Sequence, residues 1–183
     1  MMQFSTLVPP RSQWASGAGL AAARIGMGLL WLTNLSWKWP PSFGCTADGS
    51  GGLCFWMQKM ADNSRLSLHA RFVRDVALPH YKLFGYLTIS IELLAGVLLL
   101  LGLFTRLGAL LGLVQSINLF IGLSLAPGEW VWSYATMILL HLVLLGFAAG
   151  RWFGVDAVLR APLQHMRGGG RFGWFSRVPA ALT

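Results

Sequence analysis

Charge is what this sequence has least of. Only 11% of its 183 residues are Asp, Glu, Lys or Arg, while 55% are hydrophobic. A soluble domain needs a charged surface to stay in water, so this composition argues against one and for a single domain in a bilayer. Other scarcities exclude further classes. The apolar runs show no strict alternation, which argues against barrel strands. The first run lacks a small-residue cleavage site and carries Arg24 and Trp31, so it is expected to stay as an anchor and not to leave as a signal peptide. There are two cysteines, Cys45 and Cys54, not in a CxxC arrangement and without further ligands to complete a zinc set. No metal site is expected. His141 is the one histidine well inside an apolar run, so a bis-His haem within the chain is unsupported. No internal repeat stands out.

What is present is four apolar runs, at 17–37, 83–104, 107–126 and 130–149. Each is near the ~20 residues that cross a ~30 Å hydrocarbon core as a helix. Two connections are short, around Thr105–Arg106 and Pro127–Glu129, and short links make antiparallel neighbours. The expected fold is an all-α integral membrane protein, an antiparallel bundle of four transmembrane helices. A long external loop, 39–82, joins helices 1 and 2. In this division residues 1–16 are a cytoplasmic head, 17–150 the membrane domain, and 151–183 an interfacial helix followed by a basic aromatic tail. Within the loop, residues 55–77 have the pattern of an amphipathic helix that lies on the membrane or caps the bundle.

The net charge of +8 does not point to nucleic acid. Arg11, Arg106 and Arg151 to Arg177 fall on one side of four crossings, where the positive-inside rule puts them. That side, with both termini, is expected to be cytoplasmic. The loop then lies outside, although it holds Lys59, Arg65, Arg71, Arg74 and Lys82. A disulfide between Cys45 and Cys54 is the expectation there.

The chemistry is carried by polar residues within the runs. Glu92 is the one acid inside an apolar run. Tyr81, Gly85, Thr88, Glu92 and Gly96 share one helix face, and Gly108, Gly112, Gln115 and Gly122 share another, with Asn118 beside Gln115. Arg24, Gly28 and Trp31 align in the first run, Tyr134 and His141 in the fourth. At ~1.5 Å per residue, Glu92, Gln115, Asn118 and His141 fall near the midplane. A charge at that depth costs about 2.5–3.5 kcal/mol and is rarely left unpaired. Glu92 is therefore neutral or paired, with Arg24 or His141 as partner. Glu92, His141 and Arg24 are the candidate proton-handling residues. Gln115, Asn118, Trp31 and Tyr134 are candidate walls for an apolar ligand such as a quinone. A purely structural pair that fixes helix register stays open beside this.

Three stretches carry a family resemblance: LAAARIGMGLLWLTNLSWKW at 20–39, ELLAGVLLLLGLFTRLGALLG at 92–112, and Tyr134 with the closing GRWFGVDAVL at 150–159. In this order and spacing the chain resembles the DoxX/DoxD family of small four-helix membrane proteins, with Arg24, Glu92, Arg106 and Asp156 at the family-pattern positions. The family includes the membrane subunit of thiosulfate:quinone oxidoreductase. The resemblance implies a membrane subunit of a redox system, an oxidoreductase acting on quinone with a partner chain, in a bacterial or archaeal cytoplasmic membrane. No covalently held cofactor is implied, and the expected partners are lipid and membrane or periplasmic subunits. The alternative is a non-catalytic accessory subunit of a respiratory or photosynthetic assembly.

Overall fold

A computed structural model describes residues 11–147 and 149–159. The head before residue 11 and the basic aromatic tail from residue 160 lie outside the described residues. The elements are α1 (Arg11–Thr33), α2 (Gly52–Asn63), α3 (Ser67–Phe72), a π-helical turn (Val73–Ala77), α4 (Tyr81–Leu101), α5 (Thr105–Leu123), α6 (Val131–Phe147) and a 3-10 turn (Ala149–Arg151). No strand occurs among the described residues. Among the described residues, three helices are long and apolar enough to cross a membrane: Trp14–Thr33, Tyr81–Leu101 and Thr105–Leu123. The fourth apolar helix, α6, has 17 residues.

The long helices pack in sequence, α1 on α4, α4 on α5 and α5 on α6, with a lesser contact between α6 and α1. Lipid is as apolar as leucine, so close packing and interhelical hydrogen bonds must hold such helices together. Small residues make this possible. A Cβ on Gly28 would lie 2.7 Å from the Leu100 backbone nitrogen, and one on Gly96 would meet Leu32. Most leucines of α4 point outward: Leu83, Leu87, Leu93, Leu94 and Leu101 are exposed, while Gly85, Glu92, Ala95 and Gly96 are buried together with Leu98 and Leu99.

The α4–α5 junction is fixed electrostatically. Gly102 ends α4 in the left-handed conformation, φ 65°. The α4 carbonyls of Leu99 and Leu100 accept from Arg24 Nη1 at 2.5 and 3.0 Å. At the start of α5, the Asp156 carboxylate accepts from the Phe104 and Thr105 amides at 2.7 and 3.0 Å. A cation thus sits at a helix C-terminus and an anion at a helix N-terminus, the favourable sense of both dipoles. Thr105 and Arg106, expected as a turn, instead open α5.

The segment expected as a loop at 39–82 folds into a helical cap over one end of the bundle. Cys45 and Cys54 are joined by a disulfide. The single helix expected over 55–77 is broken at Ser64–Leu66. There the chain bonds to the end of α5: the Arg65 amide donates to the Ile121 carbonyl at 2.8 Å, and Arg65 Nε donates to Ser124 Oγ at 2.5 Å. These bonds satisfy terminal α5 groups that a continuous cap helix would leave open. Phe43, Met57, Met60, Ala61, Val73, Ala77, Leu123 and Tyr134 form the core beneath the cap. Lys59 Nζ bonds Glu129 Oε1 at 2.8 Å, and Tyr134 donates to Glu129 Oε2 at 2.6 Å, tying α2 to the start of α6.

Candidate functional site

Between the cap and the bundle lies a cavity of about 570 Å³. Its walls are mostly apolar, including Leu53, Met57, Met60, Val73, Leu119 and Met137. Its polar groups include Thr33, Asn34, Lys38, Thr88, Glu92, Gln115, Asn118 and Tyr134. The volume falls within the ~300–1,000 Å³ typical of small-molecule sites, and an apolar wall with few convergent polar groups is their usual make-up.

Glu92 is at the centre of the polar group. Its partner is Lys38, not Arg24. Lys38 Nζ donates to Oε1 at 2.7 Å and to Oε2 at 2.5 Å, with both side chains buried. Gln115 Nε2 adds a long contact to Oε1 at 3.4 Å, and Asn34 Nδ2 one to Oε2 at 3.5 Å. Trp37 holds Asn34 in place, its Nε1 donating to Asn34 Oδ1 at 3.2 Å. Burial pushes the Lys38 ammonium below the ordinary lysine value, against the pull of the Glu92 charge and hydrogen bond.

The reason for the change of partner is helix register. α1 ends at Thr33, level with the middle of α4, so the chain after it turns in and brings Lys38 to Glu92. Arg24 lies lower, at the Leu99 carbonyl. Seven residues of α4 separate Glu92 from Leu99, about two turns or ~10 Å. Arg24 therefore serves the helix junction and does not line the cavity.

His141 is also outside the cavity wall. Trp31 stands between, buried, and donates its indole N–H to His141 Nε2 at 3.0 Å. His141 Nδ1 donates to the Met137 carbonyl at 2.7 Å. One ring nitrogen accepts and the other donates, the bonding of a neutral imidazole. A Cβ on Gly112 would overlap the His141 ring, so the glycine at that position makes room for it. Trp31, Gln115, Asn118 and Tyr134 do line the cavity. Asn118 Oδ1 also bonds His69 Nε2 at 3.0 Å, and His69 Nδ1 meets Ser64 Oγ at 2.9 Å, anchoring α3 to α5.

The structure thus gathers Glu92, Gln115, Asn118, Trp31 and Tyr134 around one space, adds Lys38 and Asn34, and separates Arg24 and His141 from it. The signal for Lys38 in the sequence is its place at the far end of the 20–39 stretch that carries the family resemblance, between Trp37 and Trp39. Among the described residues, no group of three or more His, Cys, Asp and Glu side chains is placed to hold a metal ion. The apolar helices fit an integral membrane protein. No curated protein and no solved structure matches the chain. The DoxX family model matches residues 51–121, from α2 into α5 and including Glu92 and Gln115, so that this segment is similar to DoxX proteins.

Proposed function

We propose that the chain is the quinone-binding membrane subunit of a redox system, an antiparallel four-helix bundle in a bacterial or archaeal cytoplasmic membrane with both termini cytoplasmic. The observation that carries the reading is the cavity of about 570 Å³ whose apolar walls converge on the buried Lys38–Glu92 pair. A quinone ring is flat and apolar, with carbonyl oxygens that need donors. Lys38, Asn34 and Gln115 are donors gathered at one point of the wall. When bound, a quinone supplies two-electron, two-proton chemistry. The chain's own part is to orient the carbonyl edge toward Lys38, to keep water out beneath the cap, and to hold a proton on the Lys38–Glu92 pair within reach of that edge. Electrons come from a partner subunit, membrane or periplasmic, docked on the cap side.

The test is equilibrium binding of decyl-substituted quinone to the protein in lipid nanodiscs. Saturable binding that weakens by roughly tenfold or more in Glu92→Gln supports the reading. No saturable binding to the wild type, or equal affinity in the variant, overturns it.

A further inference from the structure

The cavity has a wall missing. Around α1, three faces have different fates. Gly28 and Leu32 pack on α4, and Met27 and Trp31 face the interior. Leu30, Thr33 and Trp37 line the cavity yet are exposed. Leu30 is 58% exposed, although it belongs to a helix apolar enough to span a membrane. Across from them, α6 offers Met137 and Tyr134 to the same cavity. The tie between the two helices is the Trp31–His141 bond. Met137 and Tyr134 lie one and two turns beyond His141, on the cap side of that tie. There α1 and α6 both line the cavity, and the exposure of Leu30 and Thr33 at its edge marks a gap beside α1.

We infer that this gap is a lateral portal through which a membrane-dissolved amphiphile reaches the Lys38–Glu92 pair directly from the bilayer, its tail left between α1 and α6. Two observations agree on the occupant. The rim at Leu30 and Thr33 lies within the hydrophobic span Trp14–Thr33, where the surroundings are lipid tails. On the water-facing side α2 and the π-helical turn put the buried Met57, Met60, Val73 and Ala77 over the cavity, α2 is fastened by the Lys59–Glu129 pair, and Phe72 is the exposed lining residue of the cap. A ligand that came from water would have to pass Phe72 or unfasten the cap; one that came from lipid would meet only Leu30 and Thr33. The inference rests on the proposal that this cavity is a ligand site.

Its test uses single reporter cysteines in the cavity, Gln115→Cys and, as a second position, Leu123→Cys, in the full chain in nanodiscs. Cys45 and Cys54 are paired and do not react. Labelling by bilayer-dissolved N-dodecylmaleimide is compared with labelling by a water-borne sulfonated methanethiosulfonate. The portal predicts fast labelling from the lipid phase and slow labelling from water. Adding Leu30→Trp at the rim slows the lipid-phase reaction by roughly tenfold or more, while Phe72→Trp, at the exposed lining residue on the cap, leaves it unchanged. An unchanged lipid-phase rate in Leu30→Trp, or labelling from water as fast as from lipid, overturns the portal. If labelling follows the prediction but decyl-quinone does not bind, the portal stands and the quinone reading falls. If quinone binds and Leu30→Trp changes nothing, the reverse holds.

Discussion

Replacing Glu92 with Gln leaves Lys38 buried, 4% exposed, without its counter-charge. Breaking a buried pair by removing one partner costs about 3–5 kcal/mol, because the remaining ion has given up water and no longer faces an opposite charge. At ~2–4 °C per kcal/mol for a chain of this size, the melting temperature should fall by roughly 6–20 °C. The amide that replaces the carboxylate keeps one oxygen that can accept from Lys38 but carries no charge, and Asn34 and Gln115 turn their amide nitrogens, which are donors, toward this point. Relief comes from losing the proton on Lys38. Burial already lowers its pKa below 10.5, and the Glu92 charge that opposes this is gone in the variant. A lysine with a folded value below its unfolded one favours the unfolded state while it is charged. The stability of Glu92→Gln should therefore rise as pH climbs from the lowered folded value toward 10.5. Lys38→Met should be destabilised by a similar amount, and the double variant Lys38→Met/Glu92→Leu should recover most of the loss, since an apolar pair of similar volume needs no solvation. Thermal melts in one detergent over pH 6 to about 10 read all four proteins. Single variants within ~1 kcal/mol of wild type, or a double variant whose loss is the sum of the singles, would refute the reasoning.

Four further outcomes follow from the same structure. Burial pushes the Glu129 carboxyl up, but hydrogen bonds from Lys59 and Tyr134 and the Lys59 charge outweigh it and hold it below 4.5. Its contribution is then complete above pH 4.5 and lost as pH falls through the folded value, so wild-type melts should approach those of Glu129→Gln in acid and exceed them near neutrality. His141→Phe leaves the buried Trp31 indole N–H without an acceptor and should cost about 1–3 kcal/mol in a melt, with a blue shift in tryptophan emission absent from a Leu142→Phe control. Asp156→Ala removes the acceptor of two amides at the start of α5 and should cost ~1–2 kcal/mol, read by the same melt. Reducing Cys45–Cys54 should lower stability by about 2–3 kcal/mol while leaving helical circular dichroism unchanged below the transition.

The helices and their inward faces were legible in the sequence because hydropathy and small-residue spacing report burial in lipid directly. Gly108, Gly112, Gln115 and Gly122, read as one face of the third run, are all buried. The partner of Glu92 was not legible. Reading depth along each run assumes that the helices share a register, and α1 instead ends at Thr33, half a helix short of the α4 start. That offset moves Arg24 to the Leu99 carbonyl and lets Lys38 fold inward. The helix break at Ser64–Leu66 escaped for a similar reason. The local run Asp62–Asn63–Ser64 disfavours the helix, with Ser64 Oγ accepting from the Leu66 amide, but the Ile121 carbonyl and Ser124 hydroxyl that capture Arg65 are distant in sequence. His141 was legible as buried, but not as Trp31's acceptor, since that bond joins positions 110 apart in sequence.

The most direct test of the central claim is quinone affinity in the Lys38→Met/Glu92→Leu protein, which keeps the packing and loses the charge pair. Decyl-quinone should bind the wild type saturably, and the folded double variant at least about tenfold more weakly. Equal affinity in the two proteins would mean that the Lys38–Glu92 pair does not recognise the ligand and serves only to hold the helices together.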